Sequence, residues 1–276
     1  MSGQGTPGVG PRGPVARTLR LVAAQLRVSV EAALEYRVGF WTEGVVGVLW
    51  SLSGVVPLIV ALDHRDDVAG WTPWQVVLLT GFYLVFAGLA DALLKPSVAE
   101  SMAHIRRGTL DYLLLRPVSV LTSCLVAAFE PWALLQVLTG AGLAVVAAAQ
   151  LGLSPGFAEL GAFAVVLVAG MTSLYALGVL MIAAGIRALA LENLVYLLET
   201  LMDFAHWPIS VYRGPLRAIF TFVIPFAVMT SYPAQSLMGS LDGPALLGAV
   251  GTAVGLATVA GLTWRRALRG YTSASS

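Results

Sequence analysis

Long apolar runs, each near the length needed to cross a bilayer, alternate along this chain with short polar connections. Residues 38–62, 74–94, 117–149, 157–186, 188–207 and 245–264 are dominated by aliphatic and aromatic side chains. A transmembrane helix needs about 20 such residues. The pattern therefore predicts an all-α polytopic membrane protein with six transmembrane helices across residues 38–270. The ~10-residue apolar/polar alternation of a membrane β-barrel is not the pattern seen here. The connections fit: Asp63-His64-Arg65-Asp66-Asp67 is a polar loop, and Trp71 and Trp74 after it mark a membrane interface.

Three stretches depart from the simple rhythm. Residues 15–37 have a helical period, with Arg17, Arg20, Arg27, Glu31 and Glu35 in one sector and Leu19, Val22, Leu26, Val30 and Ala33 opposite. A basic amphipathic helix just before a span is expected to lie in the membrane interface. The run 117–149 is long for one span, and Glu130-Pro131 interrupts it with an expected kink. The run 216–237 is apolar but broken by Pro225 and Pro233.

Composition confirms the class: 58% of the 276 residues are hydrophobic, 11% are charged, and the mean hydropathy is +0.82. Soluble domains carry about a quarter charged residues. Charge placement adds orientation. With six spans, all 16 basic residues except Arg65, Arg213 and Arg217 fall on the side holding both termini, which the positive-inside rule makes cytoplasmic. A seventh span at 216–237 would carry Arg265, Arg266 and Arg269 to the other side. Residues 208–240 are therefore expected to form an outer re-entrant hairpin, with its non-helical backbone packed against protein. Residues 1–14 are expected to be a disordered tail without signal-peptide order, and 271–276 a second tail. The arginine bias fits a GC-rich bacterial genome; the expected location is a bacterial plasma membrane.

Candidate chemistry is sparse. Cys124 is the sole cysteine and Lys95 the sole lysine. No metal-ligand spacing involves the three histidines, and no GxSxG, HExxH or phosphate-cradling GxxxxGK[ST] occurs. The chain is expected not to be an enzyme and to hold no cofactor. A net charge of +1 gives no reason to expect nucleic acid. The intramembrane polar residues are Glu43, Asp91, Glu130, Glu192, Asn193 and Glu199. Glu43 and Asp91 lie near inner span ends, within reach of headgroups, Arg37 or Lys95, and Glu192 is one turn from Arg187. Glu130, Glu199 and Asn193 are the translocation-path candidates. Interhelical anchoring stays open for each, and for Asn193 as a hydrogen-bond donor. Gly251 and Gly255 form a GxxxG pair suited to close helix packing.

Residues 98–107 form a predicted short amphipathic helix between two spans. Pro96 breaks the preceding helix or starts this one. Val98, Met102 and Ile105 share a face, Glu100 and His104 are one turn apart, Arg106 and Arg107 follow, and Gly108 is a stop. Such a helix can lay its apolar face in a groove on a cytosolic protein and pair its arginines with acids there, or lie on anionic lipid.

The segment Arg107-Gly108-Thr109-Leu110-Asp111, then Leu113-Leu114-Leu115 and Pro117-Val118, resembles the signature that follows the coupling helix in ABC-2 type exporter permeases. Pro208-Ile209-Ser210-Val211-Tyr212-Arg213-Gly214, Phe222 to Ala227, and Tyr232-Pro233-Ala234 add a second likeness, and Leu34-Glu35-Tyr36-Arg37 a third. Asp111 stands where many relatives have glutamate. The branch resembled usually pairs two related permeases with one ATPase.

The resemblance implies a six-helix permease with an interfacial helix, a coupling helix and outer re-entrant helices. It implies a dimeric membrane core, made with a second copy or a paralogue, and an ATPase subunit dimer that holds ATP and Mg. Glu100, Met102, His104, Ile105, Arg106, Arg107 and Gly108 would carry coupling. The expected function is export of a hydrophobic or amphipathic small molecule. The alternative is a proton-coupled secondary transporter using intramembrane carboxylates, which would need inverted repeats that the sequence lacks.

Overall fold

A computed structural model describes residues 14–53, 56, 70–109, 119–187 and 194–270. Ten helices organise them: α1 (Pro14–Glu35), α2 (Arg37–Ser53), α3 (Pro73–Arg106), α4 (Val120–Leu125), α5 (Leu134–Gln150), α6 (Phe157–Arg187), α7 (Leu194–Met202), α8 (Pro215–Val223), α9 (Ala227–Leu237) and α10 (Gly243–Arg269). Both tails, the end of the first apolar run with its polar loop, and the Leu110–Val118 part of the resemblance lie outside the described residues, as do Glu192 and Asn193. Among the described residues four helices are long and apolar enough to cross a membrane, or five if α8 and α9 count as one span. This makes the chain an all-α multi-pass membrane protein.

The centre is α3 packed between α5 and α6. Glycine sets the α3–α5 spacing. A Cβ on Gly81 would stand 2.7 Å from the Ala144 nitrogen, one on Gly88 2.9 Å from the Val137 nitrogen, and one on Gly140 2.6 Å from the Gly81 carbonyl. Without Cβ atoms the two backbones come into direct contact, which maximises dispersion where no hydrophobic effect operates between helices. The GxxxG pair of α10 is not used this way: a Cβ on Gly251 or Gly255 meets nothing within 4 Å. Instead α10 packs on α6 through buried Ala249, Ala253, Ala260, Trp264 and Ala267.

Pro96 takes the first turn of the segment Lys95–Arg106, and the helical path continues through it from the second apolar run. α3 runs unbroken for 34 residues, about 51 Å at 1.5 Å per residue. The proline acts through its missing N–H. In a regular helix Pro96 would donate to the Ala92 carbonyl, and it cannot. The helix widens into a π-turn at Ala90–Leu94, where the Lys95 N–H reaches back to Ala90, and the Ala92 carbonyl accepts from the Glu130 N–H at 2.9 Å.

Glu130-Pro131 makes a full break rather than a kink. α4 ends at Leu125, residues 126–130 are non-helical, and a turn at Pro131–Ala133 leads into α5. Irregular backbone beside a membrane needs internal partners, and three side chains supply them. Ser97 Oγ donates to the Ala128 carbonyl (2.9 Å), Ser101 Oγ to Cys124 (3.0 Å) and Gln25 Nε2 to Ala127 (2.8 Å). The third bond docks α1, whose exposed face carries Arg27 paired with Glu31 at 2.7 Å; that bond raises the Arg27 pKa.

α8 and α9 meet at a 69° bend. Buried Ser231 in α9 accepts from the Ile209 N–H at 3.1 Å, and Phe220 and Phe226 pack at 5.5 Å. Ala234 joins the core formed by Trp71, Val76 and Ala147, at the start of α3 and the end of α5. The opposite end of the bundle carries Arg106, Arg107, Arg187, Arg265, Arg266 and Arg269.

Candidate functional site

The π-turn that Pro96 produces places Asp91 and Lys95 toward a cleft walled by α2, the start of α5 and α7. Lys95 Nζ lies 2.5 Å from Asp91 Oδ1 and 3.2 Å from Glu199 Oε1. The first pair is local; the second joins residues 104 apart and ties α7 to α3. π-turns widen a helix and recur at functional sites.

The ion triad separates two adjoining cavities, of about 450 and 470 Å3, which share Trp50, Asp91, Lys95, Gln136 and Glu199. The first also takes in Glu43, Gly47, Glu130 and Trp132. The second continues past Ala87 and Met202 to Tyr83 and His206. Their size is that of sites for drug-sized ligands. Glu43 and Asp91 are both near enough to Glu130 to act on it electrostatically. Gln136 is only 5% exposed and lines both cavities.

Of the sequence-stated path candidates, Glu130 and Glu199 meet at this cleft, while Asn193 lies outside the described residues. Asp91 pairs with Lys95 as expected, and the pair is part of the cleft rather than reaching to headgroups. His206 is half-buried with its ring 3.7 Å from that of Tyr83, in about the third turn of α3. Gln136 was missed. The available signal was a lone amide inside an otherwise apolar run.

The coupling candidates form the last turns of α3. Glu100 lies 3.5 Å from His104 Nε2 and 3.6 Å from Arg107. Gly108 takes φ +67°, and the Thr109 and Gly108 N–H groups bond the His104 and Ile105 carbonyls at 3.0 and 3.2 Å. This paired closure needs a left-handed residue and favours glycine. Thr109 Oγ1 contacts His104 Nδ1 at 2.8 Å. Arg106 and Arg107 are exposed, whereas Val98, Met102 and Ile105 are buried in the same core as Ile182 and Ala183 of α6, with Met102 against Gly185. The apolar face expected to be free for a cytosolic groove is thus occupied inside the chain. Charge, not hydrocarbon, is what this tip offers outward.

A family model described as "ABC-2 family transporter protein" matches residues 48–275, most of the chain. Neither the curated proteins nor the solved structures yield a match.

Proposed function

The chain belongs to the ABC-2 transporter family, and on that premise we propose that it is the permease subunit of an ATP-driven exporter, with a separate ATPase below it. Permeases of this family are non-catalytic membrane components. The observation that carries the proposal is the continuity of α3. One unbroken helix bears the cleft pair Asp91–Lys95 and ends in the exposed arginines 106 and 107. At about 51 Å it exceeds the ~30 Å hydrocarbon core by some 20 Å, so its tip stands clear of the bilayer.

In this mechanism ATP closes the motor dimer, acids on the motor hold Arg106 and Arg107, and α3 tilts as a rod. The tilt moves Asp91 and Lys95 against Glu199 on α7 and Glu130 beside α5. That changes the width of the cleft and its exposure to either side. The cargo is a hydrophobic or amphipathic small molecule. The six-span count also belongs to this proposal: α2 and α7 are the membrane-proximal parts of the first and fifth spans, α8 and α9 form an outer hairpin, and both termini are cytoplasmic. The membrane core is a dimer with a second copy or a paralogue.

Co-purification tests the proposal. The tagged chain is expressed with its neighbouring genes, and vanadate-sensitive ATP hydrolysis is measured on the isolated membrane complex. A bound, active ATPase is expected. Arg106→Glu with Arg107→Glu is expected to release it or uncouple hydrolysis from transport. A purified chain with no ATPase, competent in proton flux, would overturn the exporter reading in favour of a secondary transporter.

A further inference from the structure

We propose that the cleft between α2, α3, α5 and α7 selects an organic cation with an apolar body. This inference deepens the exporter reading and rests on it. Three independent features of the cleft point the same way.

The first is charge. Among the described residues the first cavity is lined by four carboxylates, Glu43, Asp91, Glu130 and Glu199, and one cation, Lys95. That cation is already engaged, lying 2.5 Å from Asp91 and 3.2 Å from Glu199. It is not available to an incoming anion. Glu43 and Glu130 add two further carboxylates to the cavity beside that engaged lysine, and an incoming opposite charge relieves the cost that neighbouring carboxylates impose on one another. Arg37, the cation nearest in sequence to Glu43, lines a different, apolar groove beside Phe40 and Leu138.

The second feature is Gln136, 5% exposed, which lines both cavities. Its carbonyl can accept from an ammonium group and its N–H can meet a cargo hydroxyl.

The third is the wall itself. Trp50 stands at both cavities and Trp132 beside Glu130 in the first. Indole faces attract cations, more strongly when desolvated. Val46, Pro96 and Ala99 add apolar wall beside those indoles in the first cavity. A cationic head beside Glu130 and an apolar body against Trp50, Val46 and Ala99 fill the first cavity.

The test uses the assembled complex in lipid nanodiscs and two probes matched in shape but opposite in charge, tetraphenylphosphonium and tetraphenylborate. Binding is read by equilibrium dialysis of labelled probe, in excess over that of empty nanodiscs. The phosphonium is expected to bind and the borate not. Glu130→Gln and Glu43→Gln are each expected to weaken phosphonium binding about tenfold, the loss of one charge contact. The two acids sit on different segments, so a folding defect in one variant leaves the other to decide. Equal binding of both probes, absence of phosphonium binding, or unchanged affinity in both variants would overturn the cation assignment. The exporter reading would survive those results if the same complex hydrolyses ATP under vanadate control. Phosphonium binding to a chain that recruits no ATPase would sink the exporter reading alone.

Discussion

Lys95 lies between two carboxylates in a partly buried cleft, and its removal is not equivalent to removal of either partner. Lys95→Met leaves Asp91 and Glu199 facing each other, with Glu130 close by. Stripping one member from a buried ion pair is costly, and the Glu199 side chain, 44% exposed, reduces the loss through solvent screening. Lys95→Met is expected to destabilise the purified permease by about 2 kcal/mol, and Glu199→Gln by less than about 1 kcal/mol. Thermal unfolding in mild detergent checks the order. Equal losses would mean that the triad is not coupled.

Ser97 belongs to the same scale. Its hydroxyl donates to the Ala128 carbonyl and accepts from the Ala128 N–H at 3.4 Å. Ser97→Ala is expected to cost about 1–3 kcal/mol by leaving those groups unmet, seen as a lowered unfolding midpoint. The sequence carried the raw facts of this site: a proline, a serine, a single lysine and isolated acids. It did not carry their pairing, because Lys95 and Glu199 are 104 residues apart and no local period relates them.

At the scale of elements, the contact between α3 and α5 is the close one. Gly140→Ala is expected to destabilise the fold by about 1–3 kcal/mol, because the new methyl meets backbone that cannot move aside. Gly255→Ala on α10, which meets nothing within 4 Å, is expected to stay within about 0.5 kcal/mol. Unfolding midpoints of the two variants give the comparison. The apolar runs made the long helices legible, since length and hydropathy decide what can span a bilayer. Which glycines pack was not legible. The GxxxG spelling at Gly251 is a local pattern, whereas Gly81, Gly88 and Gly140 qualify only once two helices are laid together. Of the two outcomes open for Pro96 it takes the first-turn position, at the start of Lys95–Arg106, while the helical path continues through it. A proline ends a helix when the freed carbonyl has no other donor, and here the Glu130 N–H, far along the chain, supplies one. That donor exists because Pro131 interrupts its own helix. The two prolines solve one problem between them, and neither alone predicts the outcome.

At the scale of the whole molecule, the account rests on α3 acting as one rigid body between its exposed tip and the cleft. Burial of Val98, Met102 and Ile105 in the core fixes the tip to the bundle, so a force on Arg106 and Arg107 moves the helix rather than bending a hinge. The chain offers a direct readout. Cys124, the sole cysteine, is buried, and Ala87, 7% exposed, lines the second cavity on α3. The measurement is the labelling rate of Ala87→Cys, in a Cys124→Ala background, by a water-soluble thiol reagent on the reconstituted complex. It is taken without nucleotide and after vanadate trapping. The account predicts different rates in the two states, and loss of that difference when Arg106 and Arg107 are both changed to glutamate. Equal rates in the two states with the arginines in place, or a difference that persists without them, would contradict it.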